Sequence, residues 1–208
     1  MTSLAKVLWD MNRDLAIACL ESRFVQGIAD GSLPKPKFAY YVEQDAFFLE
    51  SFARAYSVAA AKTPDWQGFK IFHDLADGVL QELQLHQGYA KAWEVDLQKA
   101  EPGTATRHYT DFLSAIVWSQ EVGVTTAAML PCMQLYGFLG QQLAASGIPD
   151  HAYADWIRTY SSDEFTPLVE QLVELSDRYT LDTPTVQSVY RYAMQCELNF
   201  FEAAWTAE

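Results

Sequence analysis

Positive charge is scarce in this sequence. Fourteen Lys and Arg stand against 27 Asp and Glu in 208 residues, a net charge of −13. A surface this acidic repels phosphate backbones and anionic headgroups, so neither a nucleic acid nor a membrane is an expected partner. Cysteine is scarce too. Cys19, Cys132 and Cys196 share no CxxC spacing, which counts against a zinc site, and an odd number of thiols fits a reducing compartment. Long hydrophobic runs are missing. The opening stretch MTSLAKVLWDMNRDLA has no apolar core and carries Asp10, Arg13 and Asp14, unlike a secretory signal. The run from Val122 to His151 has no acid before Asp150, yet Gly123, Pro131, Gly137, Gly140 and several Gln make it read as too polar for a membrane span. The cytoplasm is the expected location. Strand signals are nearly absent as well: Asp30-Gly31 runs into SLPKPK, and Asp77-Gly78 lies inside a helical pattern. No glycine-rich phosphate loop and no GxSxG elbow occurs.

What is present is apolar and helical. Half the residues are hydrophobic and 14% are aromatic, ample for a core in a chain of this length, so residues 1–208 read as one all-α domain, a helical bundle. Apolar residues recur at spacings of three and four. The pattern predicts helices at about 3–20, 22–30, 36–61, 64–93, 105–121, 124–146, 150–160, 162–179 and 184–206. Pro36 suits a first turn, and Thr63 and Thr183 are the expected N-caps before Pro64 and Pro184.

Three of these helices carry a chemically active group on a face that is otherwise apolar. Tyr41, Asp45, Phe48 and Phe52 fall at i, i+4, i+7 and i+11, which sets Asp45 in an aromatic stripe. Pro131 sits inside a helical pattern and predicts a kink; Cys132 follows it, with Tyr136 one turn on. Val186, Ala193, Glu197, Phe200 and Ala204 form a third stripe in which Glu197 is the odd member. A buried carboxylate costs several kcal/mol unless it is satisfied, and desolvation raises its pKa toward the range useful for general acid–base work. Each also has an ordinary structural reading: Asp45 salt-bridged to a nearby Arg, Cys132 packed as a small hydrophobe, Glu197 paired with another helix. Glu82 and His86, at i and i+4, are metal-ligand types, but His73, His108 and His151 supply no second Glu-x-x-His set, so no metal and no cofactor is expected.

Several segments, taken in order, resemble one family. FVQGIADGSLP at 24–34 followed by YVEQD at 41–45, AAMLPC ending at Cys132 with Tyr136 four residues on, DWIRTYSSDEF at 155–165 and ELNFFEAAW at 197–205 resemble the TenA proteins, the thiaminase II family. The resemblance implies a haem-oxygenase-like helical fold without haem, a homotetramer, and an enzyme of thiamine salvage. Its reaction is hydrolysis of 4-amino-5-aminomethyl-2-methylpyrimidine to the hydroxymethyl pyrimidine and ammonia; some members also cleave thiamine. By matching position, Cys132 is the expected nucleophile and Glu197 the acid that protonates a ring nitrogen. Asp45 is expected to hold the amidine edge of the aminopyrimidine. Tyr109, Tyr136 and Tyr160 are expected around the ring and thiol, with Phe48 beside the substrate and Phe200 packed on it.

The chain departs from the family twice. Phe48 stands where many members have Tyr, which removes one hydroxyl. Gln134 stands where many have Trp. Either is expected to tune preference within the pyrimidine class. Two other readings stay open at this level: a non-catalytic pyrimidine-binding or regulatory protein, and a metal-dependent oxidase of haem-oxygenase fold.

Overall fold

The structure, a computed structural model, describes residues 3–92 and 100–207, with the side chains of 84–89, 91 and 92 outside that description. Ten helices follow one another, with no strand among the described residues: α1 (Leu4–Met11), α2 (Arg13–Glu21), α3 (Arg23–Asp30), α4 (Lys35–Lys62), α5 (Trp66–Ala92), α6 (Thr104–Ser119), α7 (Val122–Ala144), α8 (Ala154–Ser161), α9 (Thr166–Tyr179) and α10 (Pro184–Thr206). The expected Trp93 end of the fifth lies outside the described residues. Side-chain oxygens begin several helices. Ser3, Ser22 and Thr183 accept from the backbone N–H of Lys6, Val25 and Val186, filling donors the first turn leaves open. Gly31, at φ +78°, ends α3 in the left-handed conformation that glycine adopts without Cβ strain.

The expected helix at 3–20 is two helices. The Asn12 amide donates to the Leu8 carbonyl at 2.8 Å, and Arg191 of α10 donates to Asn12 and to Asp14. The amide caps the first segment while a distant guanidinium fixes the turn. Thr63 is not the N-cap of α5. Its hydroxyl turns back to the Ala60 carbonyl, and Asp65 instead accepts from the Gly68 N–H at 3.0 Å. The segment expected as helix from residue 150 is turn until α8 begins at Ala154; there the Tyr153 phenol reaches across to the Leu33 carbonyl.

α4 packs along α5, and α7 is the central helix, against α8, α9 and α10. By length and composition α7 is apolar enough to cross a membrane, contrary to the expectation from its glycines and glutamines, but 72% of its most apolar window is buried among the other helices. A helix apolar all round is the mark of a core position. α7 also runs unbroken through Pro131. Gly140 lets α8 approach it: a Cβ there would lie 2.3 Å from the Tyr160 carbonyl carbon and 2.5 Å from its oxygen. Gly140→Ala is therefore expected to push α8 away and cost roughly 1–3 kcal/mol, read as a lowered melting temperature; an unchanged melting point would show that the two helices tolerate the gap.

Candidate active site

α4, α5, α7, α8 and α9 wall a largely apolar cavity of about 350 Å³. Asp45, Phe48, Cys132, Tyr136 and Tyr160 all line it. Asp45 is buried on α4, as is Glu197 on α10. The Cys132 thiol lies beside Glu197, close enough to lower its pKa, and the Tyr109 hydroxyl of α6 donates to Glu197 Oε1 at 2.8 Å. Glu197 thus faces a thiol and a phenol, and no cation partner of it is found among the described residues. Arg54, the arginine nearest in sequence to Asp45, bonds Glu50 at 3.2 Å.

Electrostatics follow from burial. Removal from water pushes the Glu197 carboxyl up to about 8; the hydrogen bond from Tyr109 opposes this and the charge of Asp45 adds to it. Burial likewise raises the Cys132 thiol well above its ordinary value, helped by the negative charges of Glu197, Asp45 and Glu82. At neutral pH the resting pair is a thiol beside a protonated acid.

Tyr109 and Phe200 are not among the residues that line the cavity, and Glu197 stands directly beside the Cys132 thiol that does. Phe200 was expected on the substrate, but it packs behind Phe48, with ring centroids 6.2 Å apart, and edge-on to Tyr41. Phe48, which does line the cavity, also packs on Tyr109 at 4.8 Å, so the Phe48 ring screens both. Gln134 does not line the cavity either. It accepts from the Tyr190 hydroxyl at 2.6 Å and borders a separate groove near Trp9. Two positions beyond Cys132 on a helix is about 200° around the axis, which turns this side chain away from the thiol.

The site also contains groups in roles that the sequence did not assign to them. The Tyr41 hydroxyl donates to Tyr136 at 3.2 Å and accepts from the Trp156 indole, which fixes the phenol one turn above Cys132. Tyr160 donates to Glu82 Oε1 at 3.1 Å. Glu82 therefore enters the site as a cavity carboxylate. Among the described residues no three His, Cys, Asp or Glu converge as a metal site; the side chain of His86 lies outside them.

The all-helical bundle is the architecture of the haem-oxygenase-like fold. Heme oxygenase-1 from the cyanobacterium Synechocystis sp. PCC6803 shares it at 16% identity, with a TM-score of 0.61 over 97% of this chain and 91% of that one. The TENA/THI-4/PQQC family model matches residues 14–207, and the chain belongs to that family. A TenA homologue protein from P. horikoshii OT3 superposes with a TM-score of 0.90 at 24% identity, over 98% of this chain and 99% of that one. The aminopyrimidine aminohydrolase of Halalkalibacterium halodurans is 31% identical over 98% of this chain and 96% of its own. The thiamine biosynthesis multifunctional protein ThiED of Corynebacterium efficiens is 32% identical over 77% of this chain, which spans only 22% of that longer protein.

Proposed function

We propose that this protein is an aminopyrimidine aminohydrolase. It converts 4-amino-5-aminomethyl-2-methylpyrimidine to the hydroxymethyl pyrimidine and ammonia in thiamine salvage, in the cytoplasm and without a cofactor. The observation that carries this reading is the contact between Cys132 and Glu197 beside an apolar cavity. An aminohydrolase relative that matches nearly the whole chain supports it.

The electrostatics shape the mechanism. A free thiolate is costly in this cavity. The thiol therefore adds as a neutral unit: Sγ bonds to a ring carbon, Glu197 gives its proton to a ring nitrogen, and Glu197 takes the thiol proton in return. No isolated anion forms. The electron-rich ring then expels ammonia from the exocyclic methylene. Water adds there, and the thiol leaves with its proton restored. Asp45 accepts from the amidine edge and fixes the ring's orientation. The Tyr136 phenol, held by Tyr41, packs beside the ring.

Incubation with the aminomethyl pyrimidine should release ammonia in step with the hydroxymethyl product. Parallel incubation with thiamine, monitored for the thiazole, measures the second activity. Absence of either release from folded protein would refute the hydrolase. The assembly proposed is a homotetramer, supported by the exposed Trp118 and Leu80, which border an apolar groove between α4, α5 and α6. Light scattering should give close to four times the 23.5 kDa of one chain; a monomer would reject it.

A further inference from the structure

Tyr56 poses a question that the ring chemistry does not answer. It extends the α4 stripe of Tyr41, Asp45, Phe48 and Phe52 by one more turn and lines the same cavity. Its side chain is fully buried, wedged edge-on against Phe52 at 4.6 Å, yet its hydroxyl has no hydrogen-bond partner among the described residues. A buried hydroxyl without a partner is costly, and a fold rarely keeps one where Phe would pack as well. Burial raises the pKa of this hydroxyl well above the usual value, and it lies within electrostatic reach of both Cys132 and Glu82. Glu82 lines the cavity and accepts from Tyr160, and Glu164 lines it too; no Lys, Arg or His is among the described lining residues.

We propose that Tyr56 and Glu82 form a leaving-group subsite that selects pyrimidines whose 5-substituent is a cation. This rests on the hydrolase reading above and specifies which substrates that site takes. A primary ammonium has three N–H donors. The Glu82 carboxylate and the Tyr56 oxygen accept two of them, and the Tyr56 ring offers its face to the charge. The chemistry favours the same choice. A substituent that is positively charged while attached leaves as a neutral molecule: when the C–N bond breaks, its electron pair stays with nitrogen, and an ammonium departs as ammonia. A phosphorylated or carboxylated pyrimidine would place an anion against Glu82 and Glu164 and is excluded. Tyr56 and Glu82 are thus specificity determinants of the outer cavity, distinct from the Cys132–Glu197 pair that carries the covalent step.

The test measures binding by calorimetry in a Cys132→Ser background, so that no turnover intrudes. The two probes are the aminomethyl pyrimidine, a cation at neutral pH, and the hydroxymethyl pyrimidine, which is uncharged at that position. Glu82→Gln should weaken the first by about tenfold or more, the scale of a hydrogen bond to a charged group, and leave the second within about twofold. Tyr56→Phe removes only the hydroxyl. It should leave the ligand-free melting temperature equal or higher, because an unsatisfied group is lost, while lowering affinity for the aminomethyl probe alone. Equal losses for both probes would overturn the proposal. So would a Tyr56→Phe protein with a lower melting point and unchanged selectivity, which would mean the hydroxyl serves the fold through a bound water. Failure of the parent to bind either pyrimidine would overturn the hydrolase reading itself, and this subsite with it.

Discussion

Cys132→Ser should abolish ammonia release, by on the order of 10⁴-fold or more, the scale seen when a covalent nucleophile is removed. The fold should survive. Serine is smaller by little, and Cys132 is only partly buried on an α7 surface that meets the cavity. A serine hydroxyl is a far weaker nucleophile, and the proton exchange with Glu197 does not rescue it. The other two thiols serve as internal controls. Burial raises both, Cys196 to about 12, and neither lines the cavity. Serine at Cys19 or Cys196 should therefore leave turnover nearly intact. Wild-type turnover in a folded Cys132→Ser protein would end the covalent mechanism; inactivation by serine at either control would mean the wrong thiol was chosen.

Glu197→Gln should lower kcat by about 10²–10⁴-fold, the usual worth of a positioned acid–base group, with binding of the hydroxymethyl pyrimidine little changed. The same substitution should remove one pH-dependent contribution to stability. In the folded protein Glu197 holds its proton up to about 8, against an ordinary 4.5. The fold therefore binds a proton that the unfolded chain has released over that interval. The stability this group contributes is complete below about 4.5 and is lost as pH climbs toward and through 8, at ~1.4 kcal/mol per unit. Gln does not titrate. Melting curves should show the variant gaining on the wild type as pH rises from 5 to 8. A constant difference across that range would mean that Glu197 titrates normally and is not the desolvated acid the mechanism requires.

The sequence made the stripe-breakers visible because periodicity is a local property. Asp45 and Glu197 stand out within single helices, and a carboxylate in an apolar stripe is conspicuous without knowledge of the other helices. What faces each of them was not visible. Tyr109 meets Glu197 across 88 residues, and Tyr160 meets Glu82 across 78; no spacing rule reaches that far. The break at Asn12 was hidden for the same reason. The apolar pattern runs through it, and the turn is held by Arg191 from the last helix. Tyr56 was legible in principle as a further member of the α4 stripe, but a tyrosine among aromatics reads as packing until its hydroxyl is found without a partner. Gln134 shows the opposite error. The family resemblance marked it as a departure expected to tune substrate preference, and helical geometry turns its side chain away from the cavity.

The groups that converge here come one apiece from six helices: Asp45 from α4, Glu82 from α5, Tyr109 from α6, Cys132 from α7, Tyr160 from α8 and Glu197 from α10. No hairpin or helical half of the chain contains a working subset. Helices form early and locally, whereas contacts between distant segments must wait for loop closure. A refolding chain is expected to regain much of its circular dichroism before this constellation is complete, and catalysis to return only once all six helices have docked. Enzymatic rate should therefore report docking of the helices rather than their formation, and a trapped, fully helical intermediate would be catalytically silent.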